Sequence, residues 1–403
     1  MFIVVALSVL ALGTLYLAWR LVGGLHLGGW RRALALSGLV SLVALMVIEP
    51  VRWRLGGGSE GAGTRALVFA AYVSMGLFSL LFALTVAKDA VLLGHRLADV
   101  VRRRRRRRAE EEALHGAESI LREGGLDRRR FLARSLSASV VGVSGALTGT
   151  SVYFANQGPE LFEVDVPLID LPAGLEGLRI AQISDVHVGP TLRRGFVEEI
   201  VARVNALSAD LIAITGDLVD GSVETLGPHT APLADLKARH GAFFVTGNHE
   251  YYSGADDWVR EVRRLGITVL ENEHQLVEHE GARLLVAGVT DLKAGGFDPE
   301  KPCDPARCLE GAPAADLKLL LAHQPVTAFD AKGLGYHLQL SGHTHGGQFF
   351  PWNLAIHLAQ PLVAGLYDVA GMKVYVNRGT GYWGPPMRLG PPSEITLLTL
   401  RKA

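Results

Sequence analysis

The sequence has few cysteines and no overall excess of charge. Cys303 and Cys308 are the only two cysteines among 403 residues, which excludes a disulfide-rich scaffold. Lysine and arginine together number 40, as do aspartate and glutamate, so the formal net charge is zero. No short-period repeat is apparent. A chain of this length can form more than one domain.

The zero net charge hides opposite balances in the two parts of the chain. Residues 1–159 carry 20 basic and 10 acidic residues (+10), whereas residues 160–403 carry 20 and 30 (−10). The acidic second part lacks the basic surface that broad nucleic-acid binding requires, so we predict no nucleic-acid partner. An acidic domain is compatible with a cation site.

Charge is also missing from three long apolar runs, residues 1–19, 33–48 and 66–87. Each is close to the ~20 residues that cross the hydrocarbon core of a bilayer as a helix. Buried core helices are the alternative, but three such runs close together favour membrane spans. We therefore predict three transmembrane helices within residues 1–100.

Seven consecutive arginines, Arg102 to Arg108, follow the third run. Such a block is usually solvated, but beside membrane spans it favours the cytoplasmic side and can contact anionic lipid headgroups. We predict a basic cytoplasmic linker over residues 101–130. The N-terminus and everything after about residue 160 are then outside the cytoplasm, although the basic loop at residues 52–65 opposes this orientation.

A fourth uncharged run, residues 135–159, follows Asp127-Arg128-Arg129-Arg130-Phe131-Leu132. The arrangement resembles a twin-arginine export signal with Arg128 and Arg129 as the pair. It is internal, however, and has no clear cleavage site. Residues 131–159 are thus predicted to be a twin-arginine-like segment or an ordinary fourth span. Both alternatives predict a multi-pass protein of the cell membrane with an extracytoplasmic domain.

Short apolar runs alternate with amphipathic stretches after Pro159, which predicts an α/β domain over residues 160–403 with its sheet covered by helices. Several runs are continuously apolar, as in strands buried on both faces. The predicted helices are Phe196–Leu207 and Asp256–Leu265. The predicted strands are Leu178–Ser184, Leu211–Thr215, Ala242–Thr246, Leu284–Val289, Leu317–Ala322, His337–Leu340, Lys373–Asn377 and Ile395–Leu400.

Polar side chains follow five of these strands. In chain order they are Asp185 and His187, Asp217, Asn248 and His249, His323, and finally His343 and His345 within Ser341–Gln348. Each alone is explained by a turn, a helix cap or a solvated histidine. Sites in α/β sheets lie beyond the carboxyl ends of strands, and carboxylate, amide and imidazole groups bind divalent cations. Together they therefore predict a metal site.

The order Asp-x-His, Gly-Asp, Gly-Asn-His-Glu, His and Gly-His-x-His resembles that of the calcineurin-like metallophosphoesterase superfamily, from about Leu178 to Gln348. The later Gly379-Thr380-Gly381 and Pro391-Pro392 extend the resemblance to its bacterial membrane-associated branch. That branch includes twin-arginine-exported wall phosphoesterases and enzymes linked to cleavage of UDP-2,3-diacylglucosamine. The resemblance implies a β-sandwich flanked by helices.

The resemblance also implies a role for each of these side chains. Asp185, His187 and His345 would hold one metal ion, Asn248, His323 and His343 the other, with Asp217 bridging them and His249 as the general acid. Two cations ~3.5–4 Å apart bind phosphoryl oxygens and turn a bridging water into a hydroxide nucleophile. His249, with an unperturbed pKa of about 6.5, would protonate the departing oxygen. Nitrogen and oxygen ligands without thiolate favour Mn, Fe or Zn.

The sequence also predicts roles for two arginines and two cysteines. Arg378 and Arg388 are expected beside the substrate phosphate, with an ordinary structural role as the alternative. Cys303 and Cys308 lie in a proline-flanked loop. Outside the cytoplasm they are expected to form a small-loop disulfide, with free thiols as the alternative.

The leading hypothesis is a membrane-anchored dinuclear-metal phosphoesterase that hydrolyses a phosphoester or pyrophosphate bond. A lipid-linked substrate such as UDP-2,3-diacylglucosamine is favoured because tethering raises local concentration at the bilayer. One alternative is an extracytoplasmic nucleotidase or phosphodiesterase with soluble substrates. Another is a catalytically silent metal-binding membrane accessory protein. The complete set of predicted ligands and the presence of His249 argue against this second alternative. The sequence predicts no particular oligomeric state.

Overall fold

The structure, a computed structural model, describes residues 2–54, 62–113 and 124–403. The chain divides into two compact units. One lies within the first 150 residues, and the other consists mainly of residues 151–403.

Long apolar helices make up the first unit. They are α1 (Phe2–Leu17), α2 (Gly29–Arg54), α3 (Ala62–Ala113) and α4 (Gly124–Ala155), the last of which ends in the second unit. Among the described residues, four segments are long and apolar enough to cross a membrane: Leu7–Leu25, Gly29–Val47, Gly63–Arg102 and Phe131–Ala155. They overlap the four apolar runs of the sequence, with ends that differ by 1 to 15 residues.

The basic segments of this unit are partly described. The arginine run continues α3, which ends at Ala113, and the pair Arg128-Arg129 lies within α4. Residues 114–123 of the predicted linker and residues 55–61 of the preceding loop lie outside the described residues. The export signal and the orientation in the membrane stay predictions.

The described part of the second unit contains two six-stranded sheets. Its strands are β1 (Glu160–Leu168), β2 (Arg179–Ile183), β3 (Leu211–Ile214), β4 (Ala242–Phe244), β5 (Thr268–Val269), β6 (Glu273–His279), β7 (Ala282–Gly288), β8 (Leu317–Leu321), β9 (Leu338–Ser341), β10 (Gly365–Val369), β11 (Met372–Val376) and β12 (Glu394–Lys402). Its helices are α5 (Arg194–Ala206), α6 (Val223–Thr230), α7 (Asn248–Ser253), α8 (Ala255–Arg264), α9 (Ala294–Phe297), α10 (Thr327–Asp330) and α11 (Trp352–Ala355).

Each sheet has a parallel centre. The first sheet has the order β1-β12-β2-β3-β4-β5, with β2 to β5 parallel. The second has the order β10-β11-β9-β8-β7-β6, with β7, β8, β9 and β11 parallel. Parallel strands end at one edge of their sheet, so the loops that follow them are neighbours.

The two sheets share one apolar core. Ile180 and Phe243 of the first sheet and Leu284 and Leu319 of the second are fully buried in the same cluster. The outer faces are covered as well, because α5 buries four apolar residues at helical spacing: Val197, Ile200, Val201 and Val204. Burial on both faces explains the continuous apolar strands. The predicted fold class, a β-sandwich flanked by helices, is confirmed.

All eight predicted strands and both predicted helices are present, with ends shifted by one or two residues. The prediction missed β1, β5, β6 and β10, which are the four edge strands of the two sheets. The edge strand β1 alternates exposed and buried positions and includes Glu163 and Asp165. An edge strand with one solvated side gives a weaker apolar pattern than a central strand.

The expected disulfide is not formed, since Cys303 and Cys308, both among the described residues, are free thiols. The Cys308 thiol is buried and donates to the carbonyl oxygen of Gly288 at 3.3 Å. Cys303 packs against the same apolar cluster of the second sheet. Burial in that cluster, rather than a covalent bond, holds the loop.

Candidate metal centre

The predicted ligands lie on loops at the carboxyl ends of β2, β3, β4, β8 and β9. Five have left-handed backbone angles: Asp185 (φ 52°), His187 (51°), Asp217 (51°), His343 (73°) and His345 (50°). This conformation is uncommon for non-glycine residues and clusters at functional sites. Hydrogen bonds hold it here, because the Asp185 amide donates to Gly216 O at 2.9 Å and the His187 amide to Asp217 O at 3.1 Å.

Gly342 lets the two sheets approach each other at the site. A Cβ atom there would lie 2.0 Å from Ser184 Oγ and 2.1 Å from Asp185 Oδ2. The next residue, His343, donates its backbone N–H to both carboxylate oxygens of Asp185 at 3.0 Å. The glycine before the histidine pair therefore allows a ligand of the first sheet to be oriented by the second.

Asp185, His187 and His345 form the first cluster. The Nε2 atom of His345 lies 3.3 Å from Asp185 Oδ1 and 3.1 Å from Nε2 of His187. All ligand atoms of the cluster lie within 4.8 Å of one another. A cation between them would neutralise the carboxylate and coordinate both ring nitrogens.

Asp217, His323 and His343 form the second cluster. Nε2 of His323 lies 3.1 Å from Asp217 Oδ2 and 3.2 Å from Nδ1 of His343. The other ring nitrogen of His323 donates to Thr215 O at 2.7 Å. That hydrogen bond fixes the tautomer and leaves Nε2 free to bind a cation.

The carboxylate of Asp217 lies between the two clusters. Its Oδ2 atom is 3.1 Å from His323 Nε2 and 3.9 Å from His187 Nε2. Its Oδ1 atom accepts a hydrogen bond from the His249 amide at 2.8 Å. The side chain is thus fixed with one oxygen directed at both groups of imidazoles, as a bridging ligand must be.

Asn248 provides an independent test of whether the site fits cations. Its side-chain oxygen is buried and has no hydrogen-bond partner within the described residues. A buried amide oxygen without a donor is costly, and such exceptions require an explanation. A cation supplies one, since a neutral amide oxygen is a suitable ligand. The residues present therefore fit the two divalent ions that the sequence predicted.

Burial and neighbouring charges set the protonation of these side chains. Burial lowers the pKa of His343 and His345 to about 4, so both rings are neutral at pH 7. For His323, burial disfavours the charged form, but the neighbouring Asp217 carboxylate raises its pKa well above the usual value. For Asp217, burial opposes ionisation, but His323 lowers its pKa to about 2. Asp185, whose pKa is also lowered by His345, and Asp217 are therefore ionised, and His343 and His345 are neutral, whereas His323 carries a proton that a bound cation would displace.

His249 lies beside this centre with one ring nitrogen anchored. Nδ1 is 2.5 Å from Asp220 Oδ1, and Nε2 is 4.0 Å from Asp217 Oδ2. Burial disfavours its charged form, but the hydrogen bond to Asp220 and the charge of Asp217 raise the pKa of His249 to about 9. His249 thus carries a proton at neutral pH that it can donate.

Asp220 received no role from the sequence, although it lies three residues after Asp217 on the same loop. Besides His249 it contacts Nδ1 of His187, with an Oδ2–Nδ1 distance of 3.2 Å. One carboxylate thereby orients a predicted metal ligand and the predicted general acid together. The sequence feature that could have identified Asp220 was a second acidic residue shortly after the Gly-Asp pair.

Glu250 is a second residue without a predicted role. Its buried carboxylate accepts hydrogen bonds from the amides of Gly247 (2.6 Å), Leu218 (2.8 Å) and Asp217 (3.0 Å). Burial and the charge of Asp217 raise the pKa of Glu250 to about 8. These contacts tie the loop after β3 to the first turn of α7 and so fix Asp217 relative to His249.

Arg378 and Arg388 lie beside the loop of His345. Nη1 of Arg378 pairs with Glu394 Oε2 at 2.6 Å. Arg388 is buried, and its guanidinium donates to the carbonyl oxygens of Arg378 at 2.8 Å, His345 at 3.1 Å and Gly379 at 3.2 Å, and to that of Gly381. These contacts support the loop. Binding of substrate by the two arginines stays a prediction.

Comparisons with known proteins agree with this geometry. The family model described as Calcineurin-like phosphoesterase matches residues 178–347, the range that contains all the predicted metal ligands. A "Transmembrane protein with metallophosphoesterase domain" from Bos taurus is 40% identical, over 70% of this chain and 65% of that protein. The protein of the same name from Danio rerio is 38% identical, over 68% of each chain.

A bacterial relative extends the comparison. An uncharacterized metallophosphoesterase from Campylobacter jejuni is 34% identical, over 65% of this chain and 69% of that protein. The chain thus spans about two thirds of the length of each of these relatives.

Proposed function

Because the chain belongs to the calcineurin-like phosphoesterase family, as its motifs predicted, we propose that it is a membrane-anchored hydrolase of phosphoester or pyrophosphate bonds. The observation that carries the proposal is the position of Asp217 Oδ2, 3.1 Å from His323 and 3.9 Å from His187. It joins two clusters of ligands into one centre for two divalent ions, which the nitrogen and oxygen donors suggest are Mn, Fe or Zn.

When bound, two divalent cations would supply Lewis-acid activation of the phosphoryl oxygens and would activate a water molecule as the nucleophile at neutral pH. The contribution of the protein is orientation and charge. Asp185 and Asp217 would hold the ions, with neutral imidazoles completing each site. Because these two carboxylates do not offset the four charges of two divalent ions, the loaded centre would attract a phosphate anion.

His249 is proposed to protonate the leaving oxygen. Its Nδ1 atom is held by Asp220 at 2.5 Å, so Nε2 is the atom that carries the transferable proton towards the centre. General acid catalysis of this kind contributes roughly 10²–10⁴-fold. Arg378 and Arg388 are proposed to border the phosphate subsite through the loop that they support.

The substrate is proposed to be lipid-linked, with UDP-2,3-diacylglucosamine as an example. The four segments of membrane-spanning length support this, since a tethered enzyme acts on substrates concentrated at the bilayer. The chain is proposed to be multi-pass, with its arginine run cytoplasmic and the domain after residue 160 extracytoplasmic. A reporter fused after Ala403 that is active only in the cytoplasm would contradict this orientation.

A substrate panel tests the activity. Full-length protein loaded with Mn²⁺ is assayed on chromogenic phosphomonoesters and phosphodiesters and on a lipid pyrophosphate. We expect turnover that is lost after chelation and restored by Mn²⁺, with the lipid pyrophosphate preferred. Metal-independent turnover, or none on any substrate, contradicts the proposal.

A further inference from the structure

Large apolar side chains are exposed on the segment that follows the histidine loop. Trp352 and Leu354 of α11 are 48% and 64% exposed, and Leu358, in the adjoining 3₁₀ turn, is 93% exposed. No Asp, Glu, Lys or Arg occurs between Lys332 and Asp368, although the domain as a whole is acidic. An exposed apolar surface of this kind marks an interaction site.

Trp383 is a further exposed apolar residue, and it lies beside the candidate metal centre. Its indole is 54% exposed and lies 5.6 Å from the His249 ring, measured between centroids. Gln348 fixes its backbone, because the Trp383 amide donates to Gln348 Oε1 at 2.9 Å and Gln348 Nε2 donates to Trp383 O at 3.0 Å. Gln348 directly precedes the segment with Trp352. We call Trp352, Leu354, Leu358 and Trp383 the apolar rim.

The loop that carries Trp383 also packs on the end of α4, within the second unit. Ala155 of α4 clusters with Tyr382 and Leu192, and the Arg388 amide donates to Ser151 O at 2.9 Å. Trp383 of the apolar rim therefore directly follows Tyr382, which packs against this helix end.

This end of α4 has the character of a membrane boundary. It closes the apolar segment Phe131–Ala155, which is long enough to cross a bilayer. Tyr153 and Phe154 are exposed on its last turn. Aromatic side chains are enriched where spans leave the hydrocarbon. The Trp383 loop thus packs, within the second unit, on the turn where such a span would leave the hydrocarbon.

We propose that the apolar rim docks on the lipid bilayer, so that the metal centre acts on phosphoesters held at the membrane interface. This inference rests on the proposed function. Tryptophan and leucine side chains that insert into the interfacial region remove apolar area from water, and an uncharged segment brings no charge into it. The indole of Trp383 would then lie between the lipid and His249. The phosphate of a substrate held at the interface would reach the metal ions beside His249.

A fluorescent label tests the docking directly. Full-length Leu358→Cys protein is labelled with an environment-sensitive thiol reagent at pH 7 and reconstituted in nanodiscs whose lipids carry a quencher near the headgroup. Burial raises the pKa of Cys303 and Cys308 to about 12, so both react slowly at this pH. The matched control is Ile169→Cys, at a 77% exposed apolar residue directly after β1.

We expect severalfold stronger quenching at position 358 than at position 169. Equal quenching at the two positions, or quenching at neither, overturns the docking. Absence of quenching at position 358 would point to a protein partner for the apolar rim instead. The result requires no activity and is therefore independent of the proposed function.

A double variant tests the consequence for catalysis. Leu354→Glu/Leu358→Glu protein is compared with the unmodified chain on a soluble phosphodiester and on a phosphoester lipid in nanodiscs. We expect unchanged turnover of the soluble ester and a loss of at least about tenfold on the bilayer substrate. No loss on the lipid, or equal losses on both substrates, contradicts the docking. Absent metal-dependent turnover by the unmodified chain contradicts the proposed function instead.

Discussion

The two sheets of the second unit contribute different atoms to one candidate metal centre. The loops of the first sheet supply the oxygens of Asp185, Asp217 and Asn248, with one imidazole from His187. The loops of the second sheet supply imidazoles, those of His323, His343 and His345. The first sheet is thus predicted to provide the carboxylates, including the bridge, and the second is predicted to provide most of the nitrogen ligands.

This division makes metal binding depend on the packing between the sheets. Neither cluster is complete within one sheet, because each combines a carboxylate of the first with at least one imidazole of the second. Metal binding to such a site is coupled to folding. The shared apolar core and the contact at Gly342 are therefore as important to the site as the ligands.

Removing the bridging oxygen should have the largest effect. Asp217→Ala deletes the carboxylate that faces both clusters, so we expect loss of metal and of activity by roughly 10³-fold or more, given several kcal/mol from metal catalysis. Metal content by mass spectrometry and turnover of a chromogenic diester measure it. Asp210→Ala, at the opposite end of β3, is the matched control and should keep both. Equal effects of the two changes would refute the bridging role.

The general acid of the first sheet should affect catalysis without affecting metal binding. His249→Ala is expected to retain both metals and to lower turnover by roughly 10²–10⁴-fold. The loss should be smaller for a nitrophenyl leaving group, which needs little protonation, than for an alkyl one. Full activity on the alkyl ester would remove His249 from this role.

The partner of the general acid should give a smaller effect with a distinct pH dependence. Against the effect of burial, the hydrogen bond to Asp220 and the charges of Asp217 and Asp220 raise the pKa of His249 to about 9. In Asp220→Asn the pKa of His249 falls, so His249 loses its proton at a lower pH. The alkaline limb of the pH–rate profile therefore shifts to lower pH. We expect turnover at pH 7 to fall by about 10–100-fold. An alkaline limb at the unmodified position would contradict the assignment.

The smallest expected effect concerns the contact between the sheets. Gly342→Ala places a Cβ atom 2.0 Å from Ser184 Oγ, and overpacking of this kind destabilises by roughly 1–3 kcal/mol. Thermal unfolding of the purified full chain should show a lower midpoint and weaker metal binding. Gly195→Ala, on α5 with no atom within 4 Å of its Cβ position, is the control and should match or exceed the unmodified midpoint.

The central strands and the ligand loops could be predicted because both leave local marks in the sequence. The strands are continuous apolar runs, and the ligands follow them directly. The edge strands β1, β6 and β10 were missed because exposed positions interrupt their apolar pattern. The edge strand β5 was missed because it has only two residues. The role of Asp220 was missed because it depends on the approach of His249 from another loop, and that approach is a property of the tertiary structure.

Contacts between loops also account for residues whose roles the sequence motifs did not predict. Glu250 matters through three backbone amides of neighbouring segments, and backbone partners leave no sequence signature. Burial of Cys303 and Cys308 likewise follows from the packing of their loop on the second sheet. The expectation of a disulfide, which rested on a small loop outside the cytoplasm, was wrong, and the alternative of free thiols is the one observed.

Electron paramagnetic resonance of the full-length protein loaded with Mn²⁺ tests the central claim most directly. If Asp217 joins the two clusters, the loaded protein should bind two ions per chain and give the signal of an exchange-coupled pair, with ions about 3.5–4 Å apart. A single ion per chain, or two ions with uncoupled signals, would contradict a shared centre built from both sheets.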